Sequence, residues 1–148
     1  MRIVLDTNVL VAGLLSAGGP PGWILEALLA GELDLALDMA IREEYERVLR
    51  RPEFHFPADR VDDLVAVIDR FAFQAAAVPP CPEALPDPDD EPFLAVAAAT
   101  GSALVTGNLR HFPSRSRRGV TVLTPRGLVD EIRGRRPDAR RGERRAGA

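Results

Sequence analysis

The sequence predicts an α/β protein with three layers, α/β/α, around a central, mostly parallel sheet of four to five strands. Three observations point there. Short β-rich runs alternate with stretches of helical spacing along the chain, the pattern that lays parallel strands between two layers of helices. The first β-rich run ends on an acid, Asp6, and open α/β sheets bind ligands beyond the carboxyl ends of their strands. The stretch 93–100 is apolar nearly all round, as a helix buried in a core is. A chain of 148 residues suits one domain with a proper core. The expected division is a domain over residues 1–132 and a disordered, Arg-rich tail over 133–148, which has almost no apolar residues.

The elements follow in order. Arg2–Leu5 reads as the first strand, and residues 8–15 have helical spacing. The run Ala17-Gly18-Gly19-Pro20-Pro21 breaks that helix. Trp23, Ile24, Ala27 and Leu28 then mark an amphipathic helix that stops at Gly31. Residues 33–37 form a short strand. A helix over 40–51 carries the stripe Ile41, Tyr45, Val48 and Leu49, and Pro52 ends it. Asp59 can cap the next helix, whose stripe is Val61, Leu64, Val65, Ile68 and Ala72. A proline-rich loop, 79–92, leads to the buried helix. Strands over 102–106 and 121–124 follow, and a helix over 125–132 has Pro125 in its first turn.

Composition excludes several classes. No apolar run approaches the roughly 20 residues of a membrane span. The start MRIVLDTNVL is not laid out as a secretion signal, because Asp6 interrupts its apolar run; the expected location is the cytoplasm. The one cysteine, Cys81, forms no internal disulfide, and with two histidines it builds no structural zinc site. All 19 basic residues are arginine, which closes the chemistries that need a lysine on phosphate or in a Schiff base. The net charge of −3 divides unevenly: residues 1–132 hold 12 arginines and 20 acids, and residues 133–148 hold 7 arginines and 2 acids. The tail is either a solvated extension or an arm for RNA phosphates.

The acids carry the chemistry. Asp6 sits at the carboxyl edge of the first strand. It either caps the following helix or, if Asn8 or Thr7 caps instead, is left free. Glu44 borders a buried stripe, whereas Glu43 and Glu46 have Arg47 and Arg50 at i+4 and read as exposed pairs worth about a few tenths of a kcal/mol. In Asp87-Pro88-Asp89-Asp90-Glu91-Pro92, Pro92 must lie in the first helical turn, so the helix starts near Asp89 or Asp90. Acids there complement the helix dipole. Asp90, however, is in register with Leu94 and Ala97, and a carboxylate aimed inward is costly unless a cation neutralises it. Asp89 and Glu91 point elsewhere, as capping residues, and Asp87 can reach in from the loop. Converging carboxylates with oxygen donors alone select Mg²⁺ or Mn²⁺, and such a site suits a phosphodiester substrate.

The segments VLDTNVLVAGLL, IREEYERVLRRPEF, DPDDEPFLAVAAATGSALVTGNLRHF and TVLTPRGLVDEI together resemble PIN-domain proteins, over residues 1 to about 132. They are most similar to the toxin branch of bacterial toxin–antitoxin systems, akin to VapC. The resemblance implies a metal-dependent endoribonuclease that uses Mg²⁺ or Mn²⁺. It implies a small antitoxin protein as partner, a homodimer, RNA as substrate and no membrane. Carried over by position, the family's first three acids are Asp6, Glu44 and Asp90, with Asp6 and Asp90 on the metal. Its fourth acid is replaced by Asn108, which offers a neutral oxygen and no charge. Asp87 is the compensating candidate, and Asn8 and Thr106 would support by hydrogen bonding. His111 reads as a loop histidine more readily than as a general acid. Arg47, Arg50 and Arg51 are candidates for RNA phosphates or for surface ion pairs. The competing reading is a catalytically impaired PIN domain that binds RNA or protein.

Overall fold

The structure, a computed structural model, describes residues 1–135. Five strands form one sheet: β1 (Arg2–Leu5), β2 (Asp34–Leu37), β3 (Phe73–Gln74), β4 (Ala103–Val105) and β5 (Val122–Leu123). Their order is β3-β2-β1-β4-β5, and every pairing is parallel. Parallel neighbours need crossovers: α1 (Thr7–Leu15) and α2 (Pro20–Leu29) lie between β1 and β2, α3 (Met39–Leu49) and α4 (Ala58–Phe71) between β2 and β3, and α5 (Glu91–Thr100) between β3 and β4, whereas 3₁₀ turns join β4 to β5 and α6 (Pro125–Arg135) follows the last strand. This is the predicted three-layer architecture.

The centre of the sheet is covered on both faces. Ile3, Val4, Leu5, Leu104 and Val105 are fully buried, as expected of inner parallel strands with helices on either side. The chain leaves β1 toward β2 on one side and pairs with β4 on the other. That reversal of strand order opens the crevice where such sheets bind ligands. The register pairs Leu5 with Val105, so Asp6 and Thr106 emerge side by side at the carboxyl edge. Asp6 N–H donates to the Val105 carbonyl at 2.9 Å, extending the ladder to the acid itself.

Several elements depart from expectation. β3 was not legible: it is two residues long and exposed, too short to alternate. It is held by its pairing with β2 and by the Arg2 guanidinium, which lies 3.8 Å from the Phe73 ring centroid. Pro20 and Pro21 do not precede α2 but occupy its first turn, where a missing N–H costs nothing. Asp59 makes no side-chain cap; the residue before α4 is Pro57. α6 runs on to Arg135, three residues into the stretch expected as tail. The remainder of that expected tail, 136–148, lies outside the described residues.

α1 and α2 meet at a corner of 96°. Gly22 makes it possible: a Cβ there would stand 2.5 Å from the Ala17 carbonyl oxygen. Ile24 is fully buried, and Trp23 and Leu28 pack against the core, so this face is used inside the fold. Among the described residues no single helix is long and apolar enough to cross a membrane.

Candidate metal centre

Asp6 is 5% exposed and stands at the N-cap position of α1, yet its side chain makes no capping bond. Neither Asn8 nor Thr7 takes over that task. The Asp6 carbonyl accepts from Val9 and Leu10 N–H, and the carboxylate is left to turn toward β4. There the hydroxyl of fully buried Thr106 donates to Asp6 Oδ2 at 2.7 Å. Asn8 is exposed, with no hydrogen bond from its side chain among the described residues.

Glu44 comes from α3, which starts at a real cap: Asp38 Oδ1 accepts from Ile41 N–H at 2.9 Å. The apolar stripe fixes the rotation of α3. Tyr45 is buried and its hydroxyl donates to the Leu5 carbonyl, one residue before Asp6. Burial, then the charges of Asp6 and Glu44, push the Tyr45 hydroxyl well above its ordinary pKa; both carboxylates therefore stand near it. Glu44 Oε2 accepts from the Thr7 hydroxyl. Arg47 is not the partner of Glu43. It lies 3.9 Å from Glu44 Oε1. Glu46 pairs with Arg50 as expected, at 3.1 Å, and also with Arg42 at 2.7 Å.

Asp90 enters from the start of α5, preceded by a 3₁₀ turn at Pro88–Asp90, and Pro92 lies in the first turn as its missing N–H requires. Asp87 does the capping: its Oδ1 accepts from Asp89 N–H at 3.0 Å. Glu91 has another task, since its Oε1 accepts from Cys81 N–H at 2.8 Å and anchors the proline-rich loop. Asp90 is buried, in line with Leu94 and Ala97. Burial first, then the charge of Asp6, push its carboxyl up to about 6; His111 pulls the other way and Asp87 adds to the rise. Asp90 Oδ2 is wholly covered and has no well-directed hydrogen bond. His111 Nδ1 stands 2.9 Å from it, an electrostatic contact rather than an aligned bond.

Asp6 thus stands close enough to Asp90 for its charge to act there, and Asp6 and Glu44 both act on Tyr45, with Thr106 behind Asp6 and Thr7 behind Glu44. Asp87 lies close enough for its charge to act on Asp90, although one of its oxygens is spent on the 3₁₀ turn. Asn108 is exposed, and its Oδ1 accepts from Arg110 N–H at 3.2 Å while its own N–H donates to Thr106 Oγ1 at 3.1 Å. It shapes the loop. Sequence reasoning missed Thr7 and discounted His111. The DTN triplet contained Thr7, but its partner Glu44 lies 37 residues away, and nothing in the triplet names it.

The donor set fits a hard divalent cation. Burial and the charge of Asp6 raise the cost of ionising Asp90, whose covered Oδ2 has only His111 Nδ1 beside it, at 2.9 Å. Among the described residues no three Asp, Glu, His or Cys side chains converge as a ready-made cage. Asp6 and Asp90 offer oxygen donors alone, the kind a hard cation such as Mg²⁺ takes while keeping several waters.

Asp6 stands at the carboxyl edge of β1, with Asp90 near enough to feel its charge, where open α/β sheets bind ligands. The PIN domain profile matches residues 2–110, and the chain belongs to the PIN-domain family. PIN domains are generally nucleases and generally use divalent metal ions. Among solved structures, a chain in the crystal structure of VapBC2 from Rickettsia felis, bound to a DNA fragment from their promoter, has a similar fold. The TM-score is 0.59 and the identity 17%, over 84% of this chain and 98% of that one. A comparison with curated proteins gives no match.

Proposed function

We propose that this chain is a divalent-metal-dependent endoribonuclease that hydrolyses RNA phosphodiester bonds, the toxin of a toxin–antitoxin pair. The observation that carries the reading is the buried Asp6–Asp90 pair at the carboxyl edge, where Asp90 is pushed up to about 6. A bound cation would relieve the cost of keeping both carboxylates ionised.

Asp6 and Asp90 would hold Mg²⁺ or Mn²⁺. When bound, the ion supplies positive charge to a phosphodiester oxygen and lowers the pKa of water. Thr106 holds one Asp6 oxygen and so sets the direction of the other. Thr7 does the same for Glu44, whose other oxygen, 3.9 Å from Arg47, would orient the attacking water and take its proton. The toxin role draws support from family membership and from the toxin–antitoxin neighbour; it implies a small antitoxin as partner and a homodimer.

The test is RNA cleavage with Mg²⁺ or Mn²⁺, with EDTA, and with Asp6→Asn. Cleavage should vanish in EDTA and fall about a thousandfold in the variant, several kcal/mol of lost charge stabilisation. Activity that survives either treatment would refute the mechanism. The second reading, an impaired domain that binds RNA or protein, is favoured by Asn108, which brings no charge and spends its oxygen on Arg110 N–H. If Asn108→Asp greatly raises cleavage, the native chain is the impaired form.

A further inference from the structure

The arginines of this chain fall into two groups. Those on α3 and at its C-cap are engaged: Arg42 with Glu46 and Asp69, at 2.7 and 2.9 Å, and Arg50 with Glu46 and Asp62, at 3.1 and 2.6 Å. Arg47 faces Glu44. Of the three expected RNA contacts, only Arg51, beyond the end of α3, has no such pair among the described residues. The surroundings of α3 are also hostile to a polyanion, because residues 1–91 hold 18 acids and 7 arginines.

The other group has different surroundings. Residues 92–129 hold five arginines and no acid. Four of the five fall within 108–118, directly after the carboxyl end of β4. Two of them build the segment: Arg117 Nε donates to the Phe112 carbonyl at 2.7 Å, and Arg118 pairs with Glu83 at 3.3 Å. The other two, Arg110 and Arg115, are exposed, and among the described residues their side chains have no ion pair or hydrogen bond. The segment is tied to the metal centre at two points. Asn108 N–H binds Thr106, whose hydroxyl holds Asp6. His111 Nδ1 meets Asp90 Oδ2 at 2.9 Å. Arg110 lies between these ties.

Two free guanidinium groups on an acid-free segment anchored to both metal-site carboxylates are a device for bringing phosphates past an otherwise repulsive surface. We propose that residues 108–118 form the RNA-backbone interface of this chain, with Arg110 and Arg115 pairing to phosphates that flank the scissile one. The inference rests on the RNA-cleaving reading above and says where the substrate lies.

The experiment uses the full chain carrying Asp6→Asn, so that RNA is bound without being cut. A fluorescent single-stranded RNA is titrated at a series of salt concentrations. The same titration is made with Arg110→Gln and Arg115→Gln added together, and with Arg60→Gln added as a control on the acid-rich side. The double change should weaken binding at least tenfold and flatten the slope of log K against log salt by about 1.4, the share of two phosphate contacts on a single strand. Arg60→Gln should leave both unchanged. Equal affinity and slope in the double variant overturn the interface while leaving the RNA reading intact. A parent that binds no RNA at any salt also overturns the interface, while the cleavage assay on the native chain tests the RNA reading separately.

Discussion

Asp90 shows what the proposed metal site would cost the fold. Its folded pKa, about 6, lies above the ordinary 3.8. A group of this kind contributes stability that is fully present below its unfolded pKa and lost as pH rises through the folded value. At neutral pH, without metal, the buried charge therefore costs about 1–3 kcal/mol. Asp90→Asn should make the chain more stable in EDTA near neutrality, and the difference should close as pH falls toward about 4. Urea melts of both proteins across that window check it. A variant less stable than the native chain under those conditions would contradict the burial cost. Asp90 was legible because Pro92 fixes the helix start and Leu94 and Ala97 fix the face. His111 was not, because its contact with Asp90 depends on how the loop after β4 folds back, which no periodicity encodes.

At the scale of elements, the acids are only as well placed as the strands and helices that carry them. Long amphipathic helices such as α4 were legible from spacing, since one stripe must face the core. β3 was not, because Phe73 and Gln74 gain their strand character from Leu37 and its neighbours rather than from their own pattern. The glycines of the α1–α2 corner were legible as a break but not as a packing device. A Cβ on Gly22 meets the Ala17 carbonyl at 2.5 Å, and one on Gly13 meets the Leu25 side chain at 2.6 Å. A Cβ on Gly13 meets one backbone atom, the Pro21 carbonyl oxygen at 2.8 Å, beside the flexible Leu25 side chain, whereas one on Gly22 meets three Ala17 backbone atoms within 2.9 Å. Gly22→Ala should thus cost about 1–3 kcal/mol and Gly13→Ala less, despite the better helix propensity of alanine. α1 begins beside Asp6, so the Gly22 variant should also weaken metal binding. Thermal melts and metal titrations of the two variants test the order; a Gly22→Ala chain as stable as the native one would refute the packing argument.

For the whole molecule, the proposed metal site would link binding to folding. The sheet brings Asp6 and Asp90 together from positions 84 residues apart in sequence, so the unfolded chain has no such site, and any ion that binds stabilises the fold by mass action. At a free metal concentration 100 times the dissociation constant, the gain is about 2.7 kcal/mol. For a chain of this length that raises the melting temperature by about 10 °C. The rise should be reversed by EDTA and should be absent in Asp6→Asn and Asp90→Asn, although the latter starts from a more stable metal-free state. Ca²⁺ should give a smaller shift than Mg²⁺ or Mn²⁺, because it takes six to eight oxygens and only two carboxylates meet here. Differential scanning calorimetry of the three proteins with each ion measures all of this without any substrate. Equal shifts in the native chain and both variants would place the metal elsewhere and remove the ground for the proposed chemistry.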